Sequence, residues 1–329
     1  MLNKIIEILK YKFCSFLLKN YFNKQFEYKI KIVIFLLLIL IMIINKNINI
    51  NIKVALCTME KNENLYIKEF ISYYIKLGID KIIIYDDNDL KYGKISDIID
   101  FEFKKYVKIY ETKKLNISGQ SQAFTDCYEK YKSMYNWMLM IDMDEYLYIK
   151  KDTLKNYLLK PVFNKCDFIK FQWVIPTDNN HLYYENKPLF ERFKGPYINS
   201  IFIKSIIRGN ISRLKYWVHS PSISPERNTS CNNIGKKINT NNINFEFINK
   251  IDTKKAFIIH FEYKSTEEFI KKIKRGYSNW FGESISTFLR GKINGYLTNN
   301  KVTKQKIDYL EKELNLNLSE YRRIVNKII

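Results

Sequence analysis

The residues best suited to chemistry lie in the stretch Trp137-Met-Leu-Met-Ile-Asp142-Met-Asp144-Glu145-Tyr-Leu. Two carboxylates flank one residue directly after an apolar run. At i and i+2 of an extended chain, Asp142 and Asp144 share a face. Together they can grip one hard divalent cation while substrate phosphates fill its remaining positions. The plain alternative is a solvated acidic turn, since D-x-D triplets are common in loops. The apolar strand in front of this one separates it from that background.

The elements that must position this motif read as alternating strands and helices. Apolar runs at residues 54–57, 81–85, 107–110 and 137–141 have strand length and composition. Residues 65–77 and 122–134 carry helical spacing, the first ending at Gly78, a helix C-cap residue. Such alternation predicts an α/β fold around a parallel sheet. Ligands of such sheets sit beyond the carboxyl ends of the strands. Asp86-Asp87-Asn88 and the acidic motif both fall at strand ends.

The flanking residues carry a resemblance. Residues 55–88 contain Lys61-Asn62-Glu63, Tyr66-Ile67, Glu69-Phe70, Tyr74, Leu77-Gly78 and Tyr85-Asp86-Asp87-Asn88. Later come Gln120 to Cys127 and Asp142-Met-Asp144-Glu145-Tyr-Leu. Trp173 with Asp178-Asn179, Glu191-Arg192-Phe193, Lys204 to Arg208 and Val218-His219 follow. Last is His260-Phe-Glu-Tyr-Lys264-Ser265 with Glu268-Phe269 and Arg275-Gly276. In this order, over roughly residues 54–280, the chain resembles glycosyltransferase family 92 and related family 2-like glycosyltransferases. Tyr74 and Phe70 depart from the family's usual His and Trp, and Asp86-Asp87-Asn88 carries an extra Asp.

The resemblance implies a GT-A fold: a Rossmann-like half for a nucleotide-sugar, probed by the first strand ends, and a mixed half for the acceptor. It implies Mn²⁺ or Mg²⁺ as cofactor and transfer of the sugar with inversion, from a donor expected to be UDP-linked to a glycan or glycoconjugate. Asp142 and Asp144 then become metal ligands, with His260, after the apolar run 256–259, as the third; His219 is the weaker alternative. A structural hydrogen bond suits His260 equally well. Lys204, Arg208 and Lys264 are expected on the diphosphate by their motif positions. Lys61, Asn62, Glu63 and Asp86 follow the first two strands, where a base or ribose could rest; Thr58 and Asn62 would also serve a helix start. Asp178, in the turn Pro176-Thr-Asp-Asn-Asn, is the expected general base, with Glu191, Glu226 and Glu262 as alternatives. Asp-Asn also favours turns without any chemistry.

The rest of the chain frames this domain. Seven Lys, two Glu and helically spaced apolar residues make 1–31 a basic amphipathic segment. Residues 32–44 are unbroken apolar sequence, read as a short hydrophobic anchor, and 45–52 as an Asn-rich linker. Residues 53–264 form the expected transferase domain, and 265–329 a basic helical region without evident chemistry. A membrane is thus an expected partner: the domain would face the Golgi lumen in a eukaryote, and the cytoplasm in a bacterium or virus.

The 329 residues carry 55 Lys+Arg against 34 Asp+Glu, a net charge of +21. Only eight of the basic residues are Arg, so the excess reads as Lys-rich codon bias and nucleic acid is not an expected partner. Five cysteines without CxxC spacing argue against a zinc site or a redox dithiol, and their odd number argues against a complete disulfide framework. The competing readings are a catalytically degenerate GT-A protein that binds membrane or polyanion, and a phospho-sugar transferase on the same scaffold. No P-loop or GxGxxG supports an ATPase or dehydrogenase.

Overall fold

The computed structural model describes residues 12, 30–37, 52–212, 214–216, 218–222, 229–238, 255–276 and 285–326. The chain divides into the units 1–51 and 52–329. In the first, residues 30–37 are helical, and 32–37 expose their apolar side chains. The remainder of the expected anchor and nearly all of the amphipathic segment lie outside the described residues. Among the described residues no helix is long and apolar enough to cross a membrane.

The second unit is built on a mixed nine-stranded sheet. Strands β1 (Val54–Glu60), β2 (Lys81–Asp86), β3 (Val107–Glu111) and β4 (Trp137–Met140) are mutually parallel in the order 3-2-1-4. All seven residues of β1 are buried, as a strand covered on both faces requires. Helix α1 (Ile67–Leu77) places Ile67, Phe70, Ile71 and Tyr74 on one buried face. It stops at Gly78, whose φ of 106° suits glycine. The short α2 (Ile95–Ile98) precedes β3, and α3 (Gln120–Tyr131) precedes β4.

Beyond β4 the sheet turns antiparallel. The acidic motif leads into β5 (Glu145–Ile149), then come α4 (Leu154–Leu158), β6 (Phe168–Pro176), α5 (Leu189–Arg192) and β7 (Tyr197–Arg208). The long β7 inserts between β4 and β6, antiparallel to both. Strands β8 (Lys215–Tyr216) and β9 (Pro221–Ser222) form a small separate ribbon, and β10 (Ser230–Asn232) adds to β6. Strand β11 (Ala256–His260) lies between β6 and β5, with His260 paired to Glu145. The sequence predicts the parallel half; the antiparallel insertion is decided by pairing between distant segments.

Helices α6 (Thr266–Arg275), α7 (Ile285–Asn299), α8 (Lys304–Leu314) and α9 (Ser319–Asn326) close the chain. Ser265 and Glu268 form a full capping box at the start of α6. Phe269, Ile273, Tyr296, Leu297, Ile307 and Leu310 pack into one cluster with Ile175 of β6. The helical region is therefore packed against the sheet.

Cysteine usage needs correction. Cys57 of β1 is disulfide-bonded to Cys127 of α3, and Cys166 to Cys231 of β10. All four are fully buried. Partners 70 and 65 residues apart leave no spacing signature in the sequence.

Candidate active site

The acidic motif is pinned from behind. The Tyr74 hydroxyl donates to the Glu145 carbonyl at 2.9 Å and accepts from the Leu147 amide at 3.0 Å. Tyr74, a departure from the family pattern, thereby ties α1 to the start of β5. The β5–β11 register then sets His260 beside the motif.

Asp144 is buried, yet surrounded by cations. Its Oδ2 accepts from Lys272 Nζ at 2.7 Å, and its Oδ1 lies 3.5 Å from His260 Nε2. Burial opposes its charge, but Lys272 and His260 outweigh it and hold the carboxyl well below the usual range. Asp142 turns elsewhere: its Oδ1 accepts from Lys204 Nζ at 2.7 Å and from the Gln120 amide. Lys204 is fully buried and also donates to the Val218 carbonyl at 2.8 Å. Glu145 is fully buried 3.8 Å from Lys204; burial, then Asp142, push its carboxyl well above the ordinary range.

A second group joins this one from the end of β1. Glu63 accepts from Lys264 Nζ at 2.6 Å and from Arg275 at 2.7 Å, while Arg275 also bonds the Lys61 carbonyl. Burial resists the Glu63 charge; Lys264 and Arg275 sustain it and keep its carboxyl low. Lys61 pairs with Asp87 at 3.7 Å. Asn62, at φ 58°, bonds Asn88 and Asp89 and so joins the ends of β1 and β2. Asp86 caps α2 by accepting from the Ile95 amide at 3.0 Å, and lines a cavity of about 300 Å³ with Lys94, Tyr110 and Glu111.

Two expected site residues fall elsewhere. Arg208 pairs with Trp137 in the β4–β7 register, five residues before Asp142, or ~16 Å of strand away. Its guanidinium bonds the carbonyls of Cys166 and Phe163 and stacks over Trp137. The antiparallel run of β7 carries Lys204 toward the site and Arg208 away from it. Asp178 is enclosed: Tyr296 Oη donates to it at 2.6 Å, Lys306 Nζ lies at 2.6 Å, and only 1% of its surface is exposed. These bonds anchor β6 to the terminal helices, and Asp178 lines a separate cavity of about 480 Å³ with Asn179, Asn180 and Pro196.

Lys272 and Arg275 were missed by sequence reasoning. They lie in the region read as lacking chemistry, on a helix full of lysines. The capping box at Ser265 and the Arg275-Gly276 pair were the available signals.

A metal fits here through two protein ligands. Asp144 Oδ1 and His260 Nε2 stand 3.5 Å apart, near the separation of two donors each ~2.1 Å from one ion. Asp142 faces Lys204, and among the described residues no three His, Cys, Asp or Glu side chains gather closely enough to hold an ion alone. Among the described residues, the buried Trp173 Nε1, His219 Nδ1 and His260 Nδ1 have no hydrogen-bond partner. Their rings are contiguous, Trp173 lying 4.2 Å from His260 and 5.0 Å from His219 between centroids. Burial, with Lys204 and His260 nearby, drives His219 down to about 2, so it is neutral.

The strand ends thus gather carboxylates and buried cations in pairs on an α/β scaffold. The chain belongs to glycosyltransferase family 92, whose sequence profile matches residues 51–315. A family 92 protein of Ricinus communis is 26% identical over 110 residues, 31% of this chain and 19% of that protein. One from Oryza sativa is 24% identical over 121 residues, 33% and 19% of the two chains. These matches span about a fifth of each relative's length. Among solved structures, mannosyl-3-phosphoglycerate synthase from Rubrobacter xylanophilus is similar at 16% identity and a TM-score of 0.28, over 43% of this chain and 48% of that one. TarS of S. aureus gives 16% and 0.27, over 42% and 23%.

Proposed function

We propose that this family 92 protein is a metal-dependent, inverting GT-A glycosyltransferase that moves a sugar from a UDP-linked donor to a glycan. The observation that carries the reading is the convergence of Asp144, His260, Lys272, Lys264 and Arg275 at the strand ends. Asp144 and His260 would hold Mn²⁺ or Mg²⁺, which supplies charge neutralisation to the leaving diphosphate. Lys264, Lys272, Arg275 and Lys204 supply more of it in a buried setting, where preorganised charge is most effective. Lys61, Asn62, Glu63 and Asp86 would border the nucleoside.

In the transfer the acceptor oxygen bonds to the donor's anomeric carbon as the carbon–oxygen bond to the diphosphate breaks. The electron pair leaves with the diphosphate and the hydroxyl proton goes to a carboxylate. Asp178, the base expected from sequence, is bonded to Tyr296 and Lys306 and lines a different cavity from Glu262. Glu262, two residues beyond His260, is the carboxylate we assign to it; it pairs with Lys292 at 2.7 Å, and that pair must open for Glu262 to take the proton.

The apolar residues 32–37 support membrane attachment through the 32–44 segment. Two buried disulfides favour an oxidising compartment, which in a eukaryotic source is the Golgi-lumen topology.

The test is a nucleotide-sugar screen with the full chain in detergent, reading release of free nucleotide with Mn²⁺ or EDTA. One donor should turn over, and Asp144→Asn should reduce release by about 100-fold or more. A folded protein with neither release nor Mn²⁺-dependent UDP binding returns the degenerate-binder reading.

A further inference from the structure

Glu262, two residues beyond His260, lines a cavity of about 490 Å³, within the range of small-molecule sites. One wall is the first half of β7. Strand β4 pairs only with residues 205–208 of β7, so residues 197–204 run on past it. Ile198 and Phe202 from this stretch face the cavity, with Asn199 between them. Phe202 also stacks on His219, at 5.1 Å, so its ring links the cavity to the buried Trp173–His219–His260 cluster.

The opposite wall is α7, and it is built to stay clear. Gly291 and Gly295, one turn apart, both line the cavity. A Cβ at 291 would meet nothing within 4 Å, and one at 295 only the Tyr263 hydroxyl at 3.5 Å. Glycine is a poor helix former, so two in mid-helix cost stability that alanine would restore. Here they leave open volume. Among the described residues lining the cavity, Glu262 and Lys292 are the only charged ones, and they neutralise each other at 2.7 Å.

We propose that this cavity is the acceptor subsite and that it takes a neutral pyranoside. The apolar face of the sugar ring lies on Phe202 and Ile198, and its hydroxyls meet Asn199, Lys292 and Glu262. A ring with one apolar face and a rim of hydroxyls matches a wall of that composition. A uronate or sugar phosphate would bring a charge that the closed Glu262–Lys292 pair leaves unmatched. The proposal rests on the transferase reading and sharpens it to a substrate class.

The full chain in detergent, wild type and Gly291→Ala, Gly291→Leu and Gly291→Trp, would be compared with neutral methyl pyranosides, a uronate and a sugar phosphate. Acceptor KM should rise with side-chain size, about tenfold or more for Leu, while the donor KM moves far less. All three variants should melt at or above the wild type, because helix propensity improves. Saturation-transfer NMR with the same pyranosides reads occupancy without turnover. Contacts to the wild type that vanish in the Trp variant support the cavity even if no donor is processed, so failure of the transferase reading is seen separately. Folded Leu and Trp variants with unchanged acceptor KM and unchanged pyranoside contacts would overturn the proposal. So would preference for the uronate or the phosphate.

Discussion

Around Asp144 each neighbour changes what a carboxylate can do. Lys272 and His260 keep it ionised in a buried setting, and Lys264 and Arg275 do the same for Glu63. Glu60, three residues before Glu63, shows the contrary case. Burial pushes its carboxyl up from 4.5 to about 8, with the Glu63 amide pulling the other way and the Glu63 and Asp86 charges adding to the rise. Its folded state therefore holds a proton that the unfolded chain releases. The associated stability is complete below about pH 4.5 and declines as pH rises through about 8. Glu60→Gln should flatten that decline and melt above the wild type at about pH 8. Thermal melts at several pH values check this; parallel pH profiles for the two proteins would refute it. The carboxylates Asp142 and Asp144 were legible because their spacing is local. Lys272 was not, because it meets Asp144 across 128 residues and looks in sequence like any of the surrounding lysines.

Among the elements, β7 matters most for the site and was least visible beforehand. Its sequence lacks a clean alternation because its two halves live in different surroundings. Residues 203–207 are buried within the sheet, while 197–202 are half-exposed or exposed. Its direction assigns Lys204 to Asp142 and sends Arg208 to the far end of β4. Gly209 ends the strand where the chain crosses the loop after α3. A Cβ there would stand 2.1 Å from the Tyr135 carbonyl oxygen and 2.5 Å from that of Lys132. These are backbone atoms that cannot swing aside. Gly209→Ala should destabilise the protein by about 2 kcal/mol or more, seen as a lower denaturant midpoint. A midpoint equal to the wild type would show that the loop yields. By contrast α1 was legible almost to the residue, since one apolar stripe and Gly78 mark its face and its end.

For the whole molecule, the two disulfides are the main feature that composition hid. Each ties a strand of the sheet to a covering or neighbouring element, Cys57 to Cys127 and Cys166 to Cys231. Closing loops of this length limits the unfolded chain, and losing one bridge costs about 2–5 kcal/mol. Peptide mapping without reduction should recover both linked pairs, and Cys57→Ser with Cys127→Ser should lower the melting temperature. Recovery of free Cys57 and Cys127 from active protein would count against the first bridge and against an oxidising compartment. The net charge of +21 plays a smaller part than its size suggests. Several of the described lysines at the surface form ordinary exposed pairs, such as Lys68 with Asp100, worth little each.

By itself the sequence determined the strand–helix alternation, the strand ends and the acidic motif, because hydrophobic period and capping residues act over a few positions. The tertiary structure alone decided which cation faces which carboxylate, which cysteines pair, where Arg208 and Asp178 point, and that α6 brings Lys272 to Asp144 and Arg275 to Glu63. Those outcomes depend on strand direction and register, which join residues as far apart as Glu63 and Lys264. No local pattern carries that information; it arises only when the sheet closes and buried charges must find partners.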